Sequence, residues 1–159
     1  YILRHGVAEE LRAGLADPDR ALTPEGIAKL RDTLATARGA GVGPSLILSS
    51  PYKRAWQTAE IAREVFGVTD EIVPESSLVP NGDPREVWLA LRTHRHQASI
   101  LLASHEPLCG YLTAHLLNAP LLQVDVKKGA LIRVDIDRYG AEPHGILRWM
   151  LTAKLAAAR

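Results

Sequence analysis

With 159 residues, 47% of them apolar and 23% charged, the chain has an ordinary globular composition and the length to bury one core, so a single domain over residues 1–159 is expected. Nineteen Lys and Arg against eighteen Asp and Glu leave a formal charge of +1, which gives no overall pull toward nucleic acid or an anionic membrane, and neither is expected as a partner. The lone cysteine, Cys109, excludes an internal disulfide framework and a four-cysteine zinc site, and is expected as a small buried hydrophobe.

The apolar start at Tyr1 to Leu3 reads as a first strand that runs into Arg4-His5-Gly6. Thr23-Pro24-Glu25 then reads as an N-cap, first helical position and acidic first turn. Ile27, Leu30, Leu34 and Ala37 follow at helical spacing, which predicts a helix to about Arg38. The glycines of "RGAGVGP" stop it, and "SLILS" (Ser45 to Ser49) is a short apolar run of the kind a sheet buries on both faces. Ser50-Pro51 is expected to open a second helix that carries Ile61, Ala62, Val65 and Phe66 and ends at Gly67.

A short strand is predicted at Glu71 to Val73, a third helix from Asp83-Pro84 through Leu91, and a buried strand at "SILLA" (Ser99 to Ala103). Pro107 begins a fourth helix, to about Leu117. "ALIRVDID" alternates Ala130, Ile132, Val134 and Ile136 with more polar partners, and "GILRWML" follows a turn over Tyr139 to Gly145. The pair reads as a closing hairpin near a sheet edge. Strands alternating with helices and finished by a hairpin predict a three-layer α/β/α sandwich with a mostly parallel central sheet.

No apolar run reaches the roughly 20 residues of a membrane span, and no basic, apolar leader precedes the first motif, so a cytoplasmic location is expected.

In such a sheet ligands bind beyond the carboxyl ends of the strands. Three strand ends carry unusual residues: Arg4-His5-Gly6 after the first, "SPYKRAWQTA" with Arg54 after "SLILS", and Ser104-His105-Glu106-Pro107 after "SILLA". Taken singly, each is an ordinary surface or structural residue. Together they predict arginines and histidines converging with helix N-termini on one anion pocket, suited to phosphate.

"LRHG", "SSPYKRAWQTAEI" and "ASHEP", in that order, resemble the histidine phosphatase superfamily, the fold of phosphoglycerate mutases and acid phosphatases. Within it, the short length, "DPDRALTPEG" and "LVPNGDP" are most similar to the small bacterial SixA-type phosphohistidine phosphatases, without the insertions that cover the site in larger members. The resemblance implies that His5 is the nucleophile, that Arg4 and Arg54 hold the phosphoryl oxygens, and that His105 donates a further hydrogen bond. Arg20 is a further candidate for phosphate or substrate contact.

It further implies a two-step route through a covalent phosphohistidine, with no metal or other cofactor. Neutral imidazole, tied through one nitrogen, attacks through the other, and nearby arginines disfavour its protonation. Gly6 is expected to let the backbone pass close to the phosphate. His94 and His96 form an H-x-H at a predicted helix end, where histidine suits the dipole, so no zinc site is expected there. His115 and His144 are expected to be structural or surface residues.

Many relatives place a glutamate after the third strand to protonate an oxygen leaving group. Here Pro80 takes that place, with Glu75 and Asp83 nearby but offset. Imidazole leaving from phosphohistidine is less demanding than an alkoxide, since solvent can protonate the nitrogen. The expected partner is therefore a phosphorylated protein, such as a phosphohistidine-containing signalling or phosphocarrier domain. The alternatives are a phosphatase or mutase acting on a small phosphorylated metabolite and a non-catalytic phosphate-binding module, which would have no need of His5. There is no P-loop and no dinucleotide fingerprint, and Cys109 lacks the arginine shortly after it that a cysteine phosphatase would need.

Overall fold

The computed structural model describes residues 1–158. Its elements are β1 (Ile2–Arg4), α1 (Pro24–Gly39), β2 (Leu46–Ser49), α2 (Lys53–Phe66), β3 (Val73–Pro74), α3 (Pro84–Thr93), β4 (Ile100–Ser104), α4 (Leu108–Leu116), β5 (Leu131–Asp135), β6 (Ile146–Leu151) and α5 (Ala153–Ala157), with 3-10 turns at Asp17–Asp19 and Ser76–Leu78.

Local chemistry sets the helix ends. Thr23 Oγ1 accepts from Gly26 N at 3.0 Å and Asp83 Oδ1 from Arg85 N at 2.9 Å, each satisfying an orphan N–H of the first turn. Gly67 closes α2 in the left-handed region at φ 69°, which only glycine enters without strain.

Helix α2 starts at Lys53, later than Ser50-Pro51 predicts, because Ser50 N is still bonded to Ala103 O at 3.0 Å, extending the sheet ladder. Tyr52 O is then the first carbonyl to accept helical bonds, from Ala55 N and Trp56 N. The third strand is Val73–Pro74, shifted from Glu71 to Val73 by its register against Leu48 and Ser49. It sits at the sheet edge, where a proline can leave one side of the ladder unpaired. Similarly, α4 begins at Leu108 with Pro107 as its N-cap. Helix α5 and the two 3-10 turns have no counterpart in the sequence reading.

The six strands run in the order β3-β2-β4-β1-β5-β6. The pairs β3/β2, β2/β4 and β4/β1 are parallel, and β5 and β6 add an antiparallel hairpin at one edge. The strands alternate between two cores. Ile2, Leu48, Leu102 and Ile132 pack with Trp88 and Leu91 of α3 and Leu108 and Leu112 of α4. Leu3, Ile47, Leu101 and Leu131 pack with Leu30 and Leu34 of α1 and Ala59 and Ala62 of α2.

Both faces are therefore covered, which is why the central strands read as unbroken apolar runs. The result is a three-layer α/β/α sandwich. With β1, β2 and β4 parallel and adjacent, their carboxyl ends open on the same edge of the sheet.

Candidate active site

Register brings the three strand ends to one level. Arg4 pairs with Ser104 and Ser49 with Ala103; His5 N donates to Ser104 O at 2.9 Å and Ser50 N to Ala103 O at 3.0 Å. Because β4 lies between β1 and β2, His105 is flanked by His5 on one side and Ser50 on the other. The His5 and His105 ring centroids are 5.0 Å apart.

His5 is 6% exposed. Its Nδ1 donates to Gly6 O at 2.7 Å, which leaves the lone pair on Nε2 in the neutral ring. Arg54 Nε donates to that Nε2 at 3.2 Å. Burial lowers the His5 pKa to about 3, with the charges of Arg54, Arg4 and Lys128 adding to it against the Gly6 hydrogen bond. The ring is therefore neutral at any ordinary pH.

Arg54, in the first turn of α2, is 4% exposed. Its Nη1 donates to Asp17 O at 2.8 Å and its Nη2 reaches Asp17 Oδ2 at 3.2 Å. Arg20 meets the same carboxylate, Nη1 to Asp17 Oδ1 at 2.9 Å, and anchors its Nε on Glu9 O at 2.7 Å. Asp17 thus bridges the two arginines, and the Arg20 hydrogen bond leads in holding its carboxyl below the usual range. Arg20 joins the cluster through Asp17 and has no direct bond to His5.

Arg4 donates from Nη1 to Val126 O at 2.7 Å, while its Nε is buried and meets no partner among the described residues. The Val126 to Gly129 loop is strapped to the first motif, with Gly129 N bonded to both Arg4 O and His5 O. That loop carries the exposed Lys128.

His105, 1% exposed, binds Ser50 Oγ through Nε2 at 2.8 Å. The Tyr52 ring stands edge-on to it, centroids 5.2 Å apart, with the Arg54 guanidinium carbon 5.3 Å from the Tyr52 centroid. Burial leads in lowering the His105 pKa to about 2, and His5 and Arg54 add to it.

Three contributors escaped the sequence reading. Asp17 was legible only as part of "DPDRALTPEG", Tyr52 only as part of "SPYKRAWQTA", and Ser50 only as the residue that, with Pro51, opens a helix. Ser50 had one available signal, since it occupies the same step after its strand as His5 and His105 do after theirs.

Gly6 is constrained by its protein neighbours as well. A Cβ there would lie 3.3 Å from Gly26 O and 3.4 Å from Leu22 Cδ2, so α1 and the segment before it crowd that position. The carboxylates near Pro80 are also accounted for. Glu75 Oε1 accepts from Ser77 N and Oγ, and Asp83 caps α3, which holds its carboxyl below the usual range.

His94 caps the end of α3 with its ring 6.4 Å from His96. Among the described residues no three His, Cys, Asp or Glu side chains gather as a metal-binding group. His144 is exposed, its Nδ1 3.5 Å from Asn118 Nδ2, and His115 lies on α4. Cys109 is fully buried, and burial pushes its thiol pKa well up. No helix among the described residues is long and apolar enough to cross a membrane.

A family model described as the histidine phosphatase superfamily (branch 1) matches residues 1–78, and the chain belongs to that superfamily. It is a hydrolase of the phosphatase class. Over 96% of its length it is 32% identical to the phosphohistidine phosphatase SixA of Escherichia coli, of which it covers 92%. A solved structure of the protein histidine phosphatase SixA complexed with tungstate superposes with a TM-score of 0.83 at 29% identity, covering 96% of both chains. A phosphoserine phosphatase variant from Entamoeba histolytica, 16% identical over 97% of this chain and 96% of its own, superposes with a TM-score of 0.70, a likeness of fold alone.

Proposed function

We propose that the protein removes phosphate from phosphohistidine in a protein substrate through a covalent phosphohistidine on His5, without a metal. The observation that carries this reading is the buried, neutral His5 ring, tied at Nδ1 to Gly6 O and presenting its Nε2 lone pair beside Arg54. In the first step Nε2 attacks phosphorus, the substrate P–N bond breaks, and the departing imidazole takes a proton from solvent. Water then attacks phosphorus, the P–Nε2 bond breaks, and inorganic phosphate leaves.

Arg54 must pass its Nε–H from the His5 lone pair to a phosphoryl oxygen as the substrate enters. Arg4, with its unpartnered Nε, and His105 supply further donors as charge builds. Arg20 contributes through Asp17.

Three observations favour a nitrogen leaving group. Glu75 and Asp83 are committed to local N–H groups, and Asp17 is held ionised between two arginines. None is poised to protonate an alkoxide. The likeness to a phosphohistidine phosphatase points the same way.

The test is a side-by-side assay on a phosphohistidine protein, phosphoserine and phosphotyrosine peptides, and sugar phosphates. The phosphohistidine protein is expected to be the best substrate, and a sugar phosphate far ahead of it would replace this reading with a metabolite phosphatase. With the best substrate, an acid-labile, base-stable phosphate adduct is expected at His5. His5→Ala is expected to lose both adduct and turnover, and full activity in that variant would refute the nucleophile.

A further inference from the structure

We infer that Ser50 is a positioning residue that fixes His105 in the tautomer protonated at Nδ1, so that a buried N–H is aimed at the phosphoryl group before substrate arrives. The inference starts from proton counting. Ser50 is 0% exposed and its hydroxyl has one proton and two lone pairs.

Tyr52 N donates to Ser50 Oγ at 3.3 Å, which uses one lone pair. The one acceptor the hydroxyl meets among the described residues is His105 Nε2, at 2.8 Å. A buried hydroxyl donates its proton where an acceptor is in reach, so Oγ–H points at Nε2.

A neutral imidazole carries one proton and one lone pair. With Nε2 accepting, the proton sits on Nδ1. That atom is buried and meets no partner among the described residues, although its ring lies 5.0 Å from the ring of His5. The opposite tautomer would fail twice. It would leave the Ser50 proton without an acceptor, and it would turn the Nδ1 lone pair toward an arriving anion.

The backbone sets this relay. Tyr52 is the N-cap of α2, with φ −65° and ψ 135°, so its N–H faces back to Ser50 rather than into the helix. Ser50 itself is held by the Ala103 carbonyl next to β4. The same strand register therefore places both the hydroxyl and the imidazole it orients.

The catalytic consequence rests on the phosphohydrolase reading above, whereas the tautomer does not, and the experiment separates them. Nitrogen-15 NMR of the imidazoles in the resting protein is expected to show His105 protonated at Nδ1 and bare at Nε2. In Ser50→Ala the tautomer is expected to become mixed, orthovanadate binding to weaken, and kcat to fall by about 10-fold or more, as for loss of an oriented donor. Ser50→Thr is expected to restore all three.

Resting His105 protonated at Nε2, a measurement needing no variant, would overturn the inference. So would a tautomer unchanged in folded Ser50→Ala. The expected tautomer in a protein without activity on any phosphorylated substrate would instead sink the proposed function and leave the tautomer standing.

Discussion

Arg54 is the residue on which the pocket turns. It spends Nε on His5 and both terminal nitrogens on Asp17, so it links the His5 ring to the Asp17–Asp19 turn while keeping further N–H donors for an anion. A lysine keeps the charge but cannot reproduce this fork. Arg54→Lys is expected to lower kcat/KM by roughly 100-fold or more, measured by steady-state kinetics on the best substrate; a loss under threefold would show that charge alone suffices. The resemblance of "SSPYKRAWQTAEI" marked Arg54, because its residue type and its place after a strand are both legible in one dimension. Asp17 was not, because an aspartate beside a proline on a polar turn also describes ordinary surface. Only the approach of that turn to α2 gives it two arginines.

At the scale of elements, the first motif is held by the start of α1. Thr23 N donates to Val7 O at 2.9 Å, Ala8 bridges Leu22, and a Cβ on Gly26 would collide with the Val7 carbonyl. Gly26→Ala is therefore expected to cost about 1–3 kcal/mol through overpacking, read from urea unfolding, and to reduce activity because the Val7 segment follows directly on His5. Unchanged stability would mean the two segments are free to part. The caps at Thr23 and Asp83 and the stop at Gly67 were legible because they are local chemistry, satisfied within a few residues. The start of α2 was not. Ser50-Pro51 is a good helix opening by sequence, but a hydrogen bond to β4 keeps Ser50 in the sheet, a preference set by a strand some fifty positions away.

For the whole molecule, folding buries the imidazoles of His5 and His105, and that burial links the site to acid stability. Folding holds their pKa values at about 3 and about 2 against 6.5 for a free imidazole. Below pH 6.5 the unfolded chain takes up protons that the folded chain refuses. The contribution of these two histidines is thus full above that pH and falls as pH drops toward 3, by up to about 1.4 kcal/mol per pH unit for each histidine. Urea midpoints at pH 7, 6 and 5 are expected to fall in that order, with a shallower slope in His105→Gln; a flat profile would contradict the burial. The sequence by itself determined the layered class, the caps, and the arginines and histidines at three strand ends, because hydropathy period, capping and residue type are properties of neighbours along the chain. Tertiary structure alone decided that β4 lies between β1 and β2, that His105 therefore meets both His5 and Ser50, and that Asp17 bridges Arg20 and Arg54. The physical reason is that strand order and proton placement depend on packing between distant segments, which no local pattern encodes.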